Sequence, residues 1–319
     1  MWYNHIEVFK MKPIYSILVP AYNEQEVLDI FYETMKKHMD PLKEPYEIIF
    51  VNDGSKDNTA LILANIAKKD KNVKVINFSR NFGQQAAELA ALTYAKGEAC
   101  IIMDCDLQDP PEVAVQMIEK WKEGYEIVHG KRKKRKGETF FKKATAHMYY
   151  RFLRKITNMD IPTDTGEFKL YDRKAVNAIL SLPEHNRYLR GLATWVGFKQ
   201  TSISFDRPER SAGVTKWTLK KMIKLAEDGI LANSSYPLFL SIKAGIAFGI
   251  MSLIAFITFI ILVCCGISLP LAAWLFPTVV LLAGIILVMN GFSNVYIGRI
   301  YDEVKGRPNF IVGDTINIE

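Results

Sequence analysis

The chain has 319 residues, 49% of them hydrophobic and 24% charged, with a formal net charge of +7, enough for one sizeable globular core with chain to spare. Its four cysteines, Cys100, Cys105, Cys264 and Cys265, have neither metal-ligand spacing nor an evident disulfide role, which sets aside a cysteine framework and suits a reducing compartment. Part of the positive charge is one run, Lys131 to Lys136; an anionic membrane surface, worth about 1 kcal/mol per cation, accounts for it better than a nucleic acid does.

The N-terminus, Met1-Trp2-Tyr3-Asn4-His5, has no apolar run of signal-peptide length before Pro13, so export is not expected. Residues 14–20 form a short apolar strand ended by Pro20. Asn23 is placed to cap a helix that carries Val27, Ile30, Phe31 and Met35 at helical spacing and ends before Pro41 and Pro45. Strand and helix then alternate: strand 47–52, helix 59–69, strand 73–78, helix 84–95, strand 99–103 and a helix from near Pro111 to Glu123. Further strands are expected at 125–130, 166–171 and 199–205, with helices at 140–156 and about 174–180. Such repetition predicts an α/β fold with a mostly parallel sheet, whose ligands bind outside the carboxyl ends of the strands.

Residues 217–231 put Leu219, Met222, Ile223 and Ile230 on one side of a helix and lysines elsewhere, the pattern of an interfacial helix. From Ala244 to Gly298 there is no Asp, Glu, Lys or Arg. A membrane helix needs about 20 apolar residues, and 244–267 and 269–289 each supply them. Cations cluster before the first stretch (Lys216, Lys220, Lys221, Lys224, Lys243) and after the second (Arg299, Lys305, Arg307), while the connection has none. Both ends are therefore expected on the cytoplasmic side.

Polar residues gather where the first four strands end: Tyr22, Asn23 and Glu24; Asp53; Arg80 and Asn81; Asp104 and Asp106. Turns attract Asp and Asn for backbone reasons, but four successive strands ending this way point to a site. In an extended segment Asp104 and Asp106 would project to one side and could share a divalent cation, of the kind a departing diphosphate requires. Asp-x-Asp alone is a weak signal; here it ends an apolar strand and leads into Leu107-Gln108-Asp109-Pro110-Pro111-Glu112. The turn after strand one lacks Gly-x-Gly-x-x-Gly, which excludes a Rossmann dehydrogenase.

With these pieces together, the sequence resembles the inverting glycosyltransferases of the GT-A fold, through Val19 to Glu24, Val51 to Ser55, Ser79 to Gly83 and Asp104 to Glu112. Within that group it is similar to the polyisoprenyl-phosphate glycosyltransferases, meaning the bactoprenol glucosyltransferases and dolichyl-phosphate mannose synthases. That likeness rests on Asp164 to Leu170, Asn186 to Gly191, Trp195 to Phe198, Arg207 to Lys216, and the double span with its Gly298-Arg299-Ile300-Tyr301 tail.

The resemblance implies residues 1–213 as a GT-A nucleotide-sugar-binding domain, 214–237 as a juxtamembrane helix, 238–298 as a two-helix transmembrane hairpin and 299–319 as a cytoplasmic tail. It assigns Pro20, Tyr22, Glu24, Asp53, Arg80 and Asp104 to the nucleotide-sugar. Asp104, Asp106 and Gln108 fall to Mg²⁺ or Mn²⁺; Arg132, Arg135 and Lys143 to the acceptor phosphate; and Asp164 to the reacting groups. Glu167 and Lys169 depart from the more common Asp and Arg, which weakens any phosphate contact at 169. The expected partners are a UDP-sugar, UDP-glucose first, a polyisoprenyl phosphate and membrane lipid, with no nucleic acid and a homotetramer as the assembly. The place is the inner or plasma membrane, with a cytoplasmic catalytic domain. Two rivals stand beside this: a processive polysaccharide synthase, disfavoured because no Arg-Trp pair occurs, and a catalytically inert membrane adaptor, disfavoured by the intact aspartates.

Overall fold

In the computed structural model of the chain, the described residues are 12–133, 165–184, 188–206 and 271–318, with isolated positions from 254 to 265. The expected helices at 140–156 and 217–231 and the first apolar stretch, 244–267, lie outside them, the isolated positions of that stretch apart.

The alternation holds throughout the first half. Strands β1 (Tyr15–Ala21), β2 (Tyr46–Asn52), β3 (Val73–Phe78) and β4 (Ala99–Ile102) are interleaved with helices α1 (Leu28–Met39), α2 (Thr59–Lys69) and α3 (Gln84–Tyr94). After α4 (Pro111–Lys122) come β5 (Ile127–Arg132), β6 (Thr165–Asp172), α5 (Arg173–Ser181), α6 (Leu189–Trp195) and β7 (Gln200–Phe205). One sheet of order β7-β5-β6-β4-β1-β2-β3-β8 results, with its centre, β4-β1-β2-β3, wholly parallel.

Central strands are covered on both faces, so they read as unbroken apolar runs; all seven residues of β2 are buried. Tyr15, Ile17 and Val19 point to the layer of α1, α2 and α4, where Phe31, Met35, Leu63, Val113 and Met117 pack. Leu18, Ile49 and Val51 point to the opposite layer of α3, α5 and α6. Helix α3 presents Ala87, Ala90 and Ala91 to the sheet, small side chains that let a helix approach closely. Asp172 caps α5 by accepting from the Lys174 amide at 2.8 Å and also accepts from Trp121 Nε1 at 2.7 Å, tying α4 to the end of β6.

Two expectations need correction. Asn23 does not cap α1: Val27 stands at the N-cap without a side-chain bond, while Asn23 adopts φ 55 and is held by the loop after β2. Ile30, expected on the buried face of α1, is 50% exposed, because the buried stripe follows Leu28, Phe31, Met35 and Met39.

Residues 223–307 form a compact unit of their own. Within it a continuous 35-residue helix, α7, spans Leu271–Lys305. Among the described residues no helix is long and apolar enough to cross a membrane; many side chains of residues 271–288 lie outside that set. Residues 308–319 belong to the first unit, and β8 (Val312–Ile316) adds to the outer edge of β3, antiparallel, with Asn77 opposite Asp314.

Candidate active site

Strands β1 to β4 run parallel, β6 runs against β4, and β5 runs against β6. The carboxyl ends of β1 to β5 and the start of β6 therefore share one edge. Residues 22–24, 53–55, 80–83, 104–109, 131–132 and 165–167 converge there, as the polar pattern implies.

The loops after β1 and β2 clasp one another. The Asn23 amide donates to Ser55 Oγ at 2.9 Å, the Lys56 amide to Asn23 Oδ1 at 2.8 Å, and the Glu24 amide to Thr59 Oγ1 at 2.9 Å. Pro20, Tyr22 and Glu24 stay half-buried at this edge.

Asp53 braces its neighbours. Its carboxylate accepts from the Phe82 amide at 2.6 Å, the Gly83 amide at 2.9 Å and Asn81 Nδ2 at 2.8 Å. Burial raises its pKa, opposed by the Phe82 and Gly83 amides and then by Arg80. Gly54 lies under the same loop at φ +63, where a Cβ would stand 2.5 Å from the Arg80 carbonyl carbon and 2.6 Å from the Asn81 nitrogen. Arg80 is exposed, its guanidinium 4.0 Å above the Phe82 ring.

The Asp104 block differs from the extended segment the sequence suggests. β4 ends at Ile102 and the chain turns through Cys105, Asp106 and Leu107, with Leu107 at φ 57. Strand alternation therefore does not pair the two carboxylates; the turn carries them instead. Asp104 is half-buried and accepts from Gln84 Nε2 at 3.3 Å. Asp106 is buried and accepts from the Gln108 amide at 3.1 Å, and Asp109 accepts from the Asp104 amide at 3.3 Å. Cys105 is buried beneath them, and burial pushes its thiol well above the ordinary value, as fits a passive small side chain. Among the described residues no three His, Cys, Asp or Glu side chains gather to hold a metal. Two carboxylates and an amide oxygen are nonetheless the hard donors that Mg²⁺ or Mn²⁺ takes when substrate phosphates complete the shell.

Arg132, at the end of β5, turns to this block, with Nη2 3.9 Å from Asp109 Oδ1. Gly166 leaves room for it: a Cβ there would meet Arg132 Nη2 at 3.0 Å. Arg135, Lys143 and Asp164 lie outside the described residues.

Behind Asp104 sits a buried charge cluster that the sequence does not single out as a unit. Glu167 accepts from Arg190 Nε at 2.7 Å and lies 3.9 Å from Lys169 Nζ. Gln85 Nε2 donates to Glu88 Oε2 at 3.0 Å. Burial raises Glu88, helped by the Glu167 and Asp104 charges. Burial would raise Glu167 too, but Arg190 and Lys169 outweigh it and hold it low. Lys169 is 1% exposed, and burial lowers it to about 8. The legible signal was a lone acid, Glu88, within the apolar run Ala87 to Leu92.

An α/β domain that collects carboxylates, amides and a guanidinium at the carboxyl edge of a parallel sheet carries its polar side chains where such sheets bind ligands. Glycosyl transferase family 2 matches residues 16–180, and the chain is a member of that family. It is 50% identical over 309 residues to the uncharacterized glycosyltransferase YkcC of Bacillus subtilis (strain 168), covering 96% of this chain and 95% of that protein. It is 36% identical over 299 residues to the SfII prophage-derived bactoprenol glucosyl transferase of Shigella flexneri, covering 93% and 96%. Among solved structures, glucosyl-3-phosphoglycerate synthase from Mycobacterium tuberculosis is similar with a TM-score of 0.48 and 15% identity, over 69% of this chain and 78% of that one.

Proposed function

We propose that this family 2 enzyme transfers a hexose, from UDP-glucose foremost, to undecaprenyl or another polyisoprenyl phosphate, with inversion at the anomeric carbon, giving a lipid-phosphate-sugar donor for cell-envelope glycans. The observation that carries the reading is the convergence of Asp104, Asp106 and Arg132 on one sheet edge, beside the loops that the resemblance assigns to the nucleoside. The likeness to the Shigella bactoprenol glucosyl transferase supports a bactoprenol acceptor.

The donor's nucleoside lies against Pro20, Tyr22, Glu24, Asp53 and Arg80. Asp104, Asp106 and Gln108 would hold Mg²⁺ or Mn²⁺, which when bound neutralises charge on the departing diphosphate. Arg132, with Arg135 and Lys143, takes the acceptor phosphate. A phosphate monoester with a second pKa of about 6 is already largely dianionic near neutrality, so it attacks without a strong base. Asp164 then serves to position it or to take its last proton at lower pH. A sugar-hydroxyl acceptor would instead need a carboxylate base.

Membrane attachment is part of the proposal. The chain leaves the catalytic sheet after β7 and re-enters it at β8, so its excursion must cross any bilayer an even number of times. That suits a hairpin of two spans, 244–267 and 269–289, most of the second falling in α7, and the cations flanking the spans favour a cytoplasmic catalytic domain. Gly245, Gly249 and Gly284 in the spans suit close packing between chains in a homotetramer.

The test is to incubate the full-length protein in nanodiscs with undecaprenyl phosphate, Mg²⁺ and a panel of nucleotide-sugars, and to weigh the lipid. A hexose added from UDP-glucose is the expected result. Donor hydrolysis without any lipid product would remove the lipid acceptor, and no reaction with any donor would favour the inert adaptor.

A further inference from the structure

The last strand of the chain reaches both loops assigned above to the nucleoside. β8 pairs with β3, and the Ser79 amide donates to the Ile311 carbonyl at 3.0 Å, carrying the pairing beyond β3 into the Arg80 loop. From Asp314 a line of hydrogen bonds crosses the carboxyl edge of the sheet. Asn77 Nδ2 donates to Asp314 Oδ2 at 2.9 Å, Asn52 Nδ2 to Asn77 Oδ1 at 2.9 Å, the Ser55 amide to Asn52 Oδ1 at 3.0 Å, and the Asn23 amide to Ser55 Oγ at 2.9 Å. Asn52 and Asn77 each turn their nitrogen toward the tail and their oxygen toward the loops, so reversing either one breaks two bonds.

A second path is aromatic. Phe310 stacks on Phe78 with centroids 5.2 Å apart and planes at 11°, Phe78 meets Phe82 edge-on at 5.7 Å, and Arg80 covers Phe82. One path ends at Asn23 after β1, the other at Arg80 after β3. Asn23 is a non-glycine residue at φ 55, a conformation that persists only where its surroundings over-determine it. Asn52 is 4% exposed, so its amide cannot readily exchange a lost partner for water.

We propose that the C-terminal strand is a positioning element of the donor site: Asp314 and Phe310 hold the two nucleoside loops in their binding shape without touching the nucleotide. This rests on the assignment of those loops to the nucleotide-sugar. It makes the tail, which follows α7 after only a short link, a working part of a sheet whose other strands end at Phe205.

The experiment uses full-length protein in nanodiscs and the variants Asp314→Ala, Asp314→Asn and Phe310→Ala. Three quantities are read: binding of UDP and of GDP by calorimetry, KM for donor and for undecaprenyl phosphate, and the unfolding temperature. Asp314→Ala and Phe310→Ala should weaken nucleotide binding and raise the donor KM by about three- to tenfold, with the acceptor KM within twofold. Asp314→Asn should restore near-normal binding, since its amide oxygen can accept from Asn77. Pairing Asp314→Ala with Asn52→Ala should give a less than additive loss. Lower unfolding temperatures with unchanged binding, or equal rises in both KM values, would reduce the tail to an edge cover and overturn the proposal. If the unsubstituted protein binds neither UDP nor GDP, the donor-site reading itself fails and takes this one with it.

Discussion

Arg190→Met tests the buried cluster behind Asp104. Glu167 has two cationic neighbours, but they differ: Arg190 makes a 2.7 Å charge-assisted hydrogen bond, while Lys169 stands at 3.9 Å with no hydrogen-bond partner at Nζ among the described residues. Removing one partner of a buried pair costs about 3–5 kcal/mol. Because Lys169 remains, the low end applies, about 3 kcal/mol, and for a domain of this size that lowers the unfolding temperature by about 6–12 °C. The pH dependence has a definite sign. In the parent, Glu167 is held below its unfolded value of 4.5, so its contribution is present above that pH and is lost as pH falls through the folded pKa. Without Arg190, burial dominates and the folded pKa rises above the unfolded one, so the variant's deficit should shrink on going from pH 7.5 to pH 5. Thermal unfolding of the full chain in detergent at both pH values, with Glu167→Gln/Arg190→Met as the partner variant, measures this. A loss below about 1 kcal/mol, or a deficit that deepens in acid, would refute the reasoning.

Asp106→Asn should abolish transfer while leaving the unfolding temperature within about 3 °C, since the asparagine Oδ1 can still accept from the Gln108 amide; turnover like the parent's would remove the metal assignment. Gly54→Ala should lower stability by about 1–3 kcal/mol and raise the donor KM, because its Cβ meets the Arg80 and Asn81 backbone at 2.5 and 2.6 Å. Arg132→Glu should raise the KM for undecaprenyl phosphate at least tenfold, about 1.4 kcal/mol or more, with a smaller change for the donor; equal changes in both would count against an acceptor role.

The central strands were legible because burial on two faces leaves an unbroken apolar run, and Val73–Phe78 falls where that run predicts it; helix Thr59–Lys69 likewise falls where its helical apolar spacing predicts. The convergence of the site was legible too, since parallel strands put all their carboxyl ends on one edge. Local geometry within the site was not. Asn23 reads as a helix cap, yet hydrogen bonds to Ser55 and Lys56 hold it in a left-handed turn that no helical pattern encodes. Asp104 and Asp106 read as an extended pair, but the strand stops at Ile102 and a left-handed Leu107 shapes the turn. Helix α6 is seven residues long, too short to repeat a period. Strand β8, Val-Gly-Asp-Thr-Ile, has little apolar content, and its partner lies more than 230 positions earlier.

That remote partner sets an order of events in the making of the protein. β3 emerges from the ribosome early, yet its outer edge has no neighbour until residues 312–316 appear. At about 5–20 residues per second, the wait is on the order of ten to fifty seconds. Through that interval Val73–Phe78 offers unpaired backbone groups to any other extended chain. Completion of the sheet thus waits for a segment translated long after its centre, and a chain lacking residues 312–316 would leave β3 as an open, association-prone border.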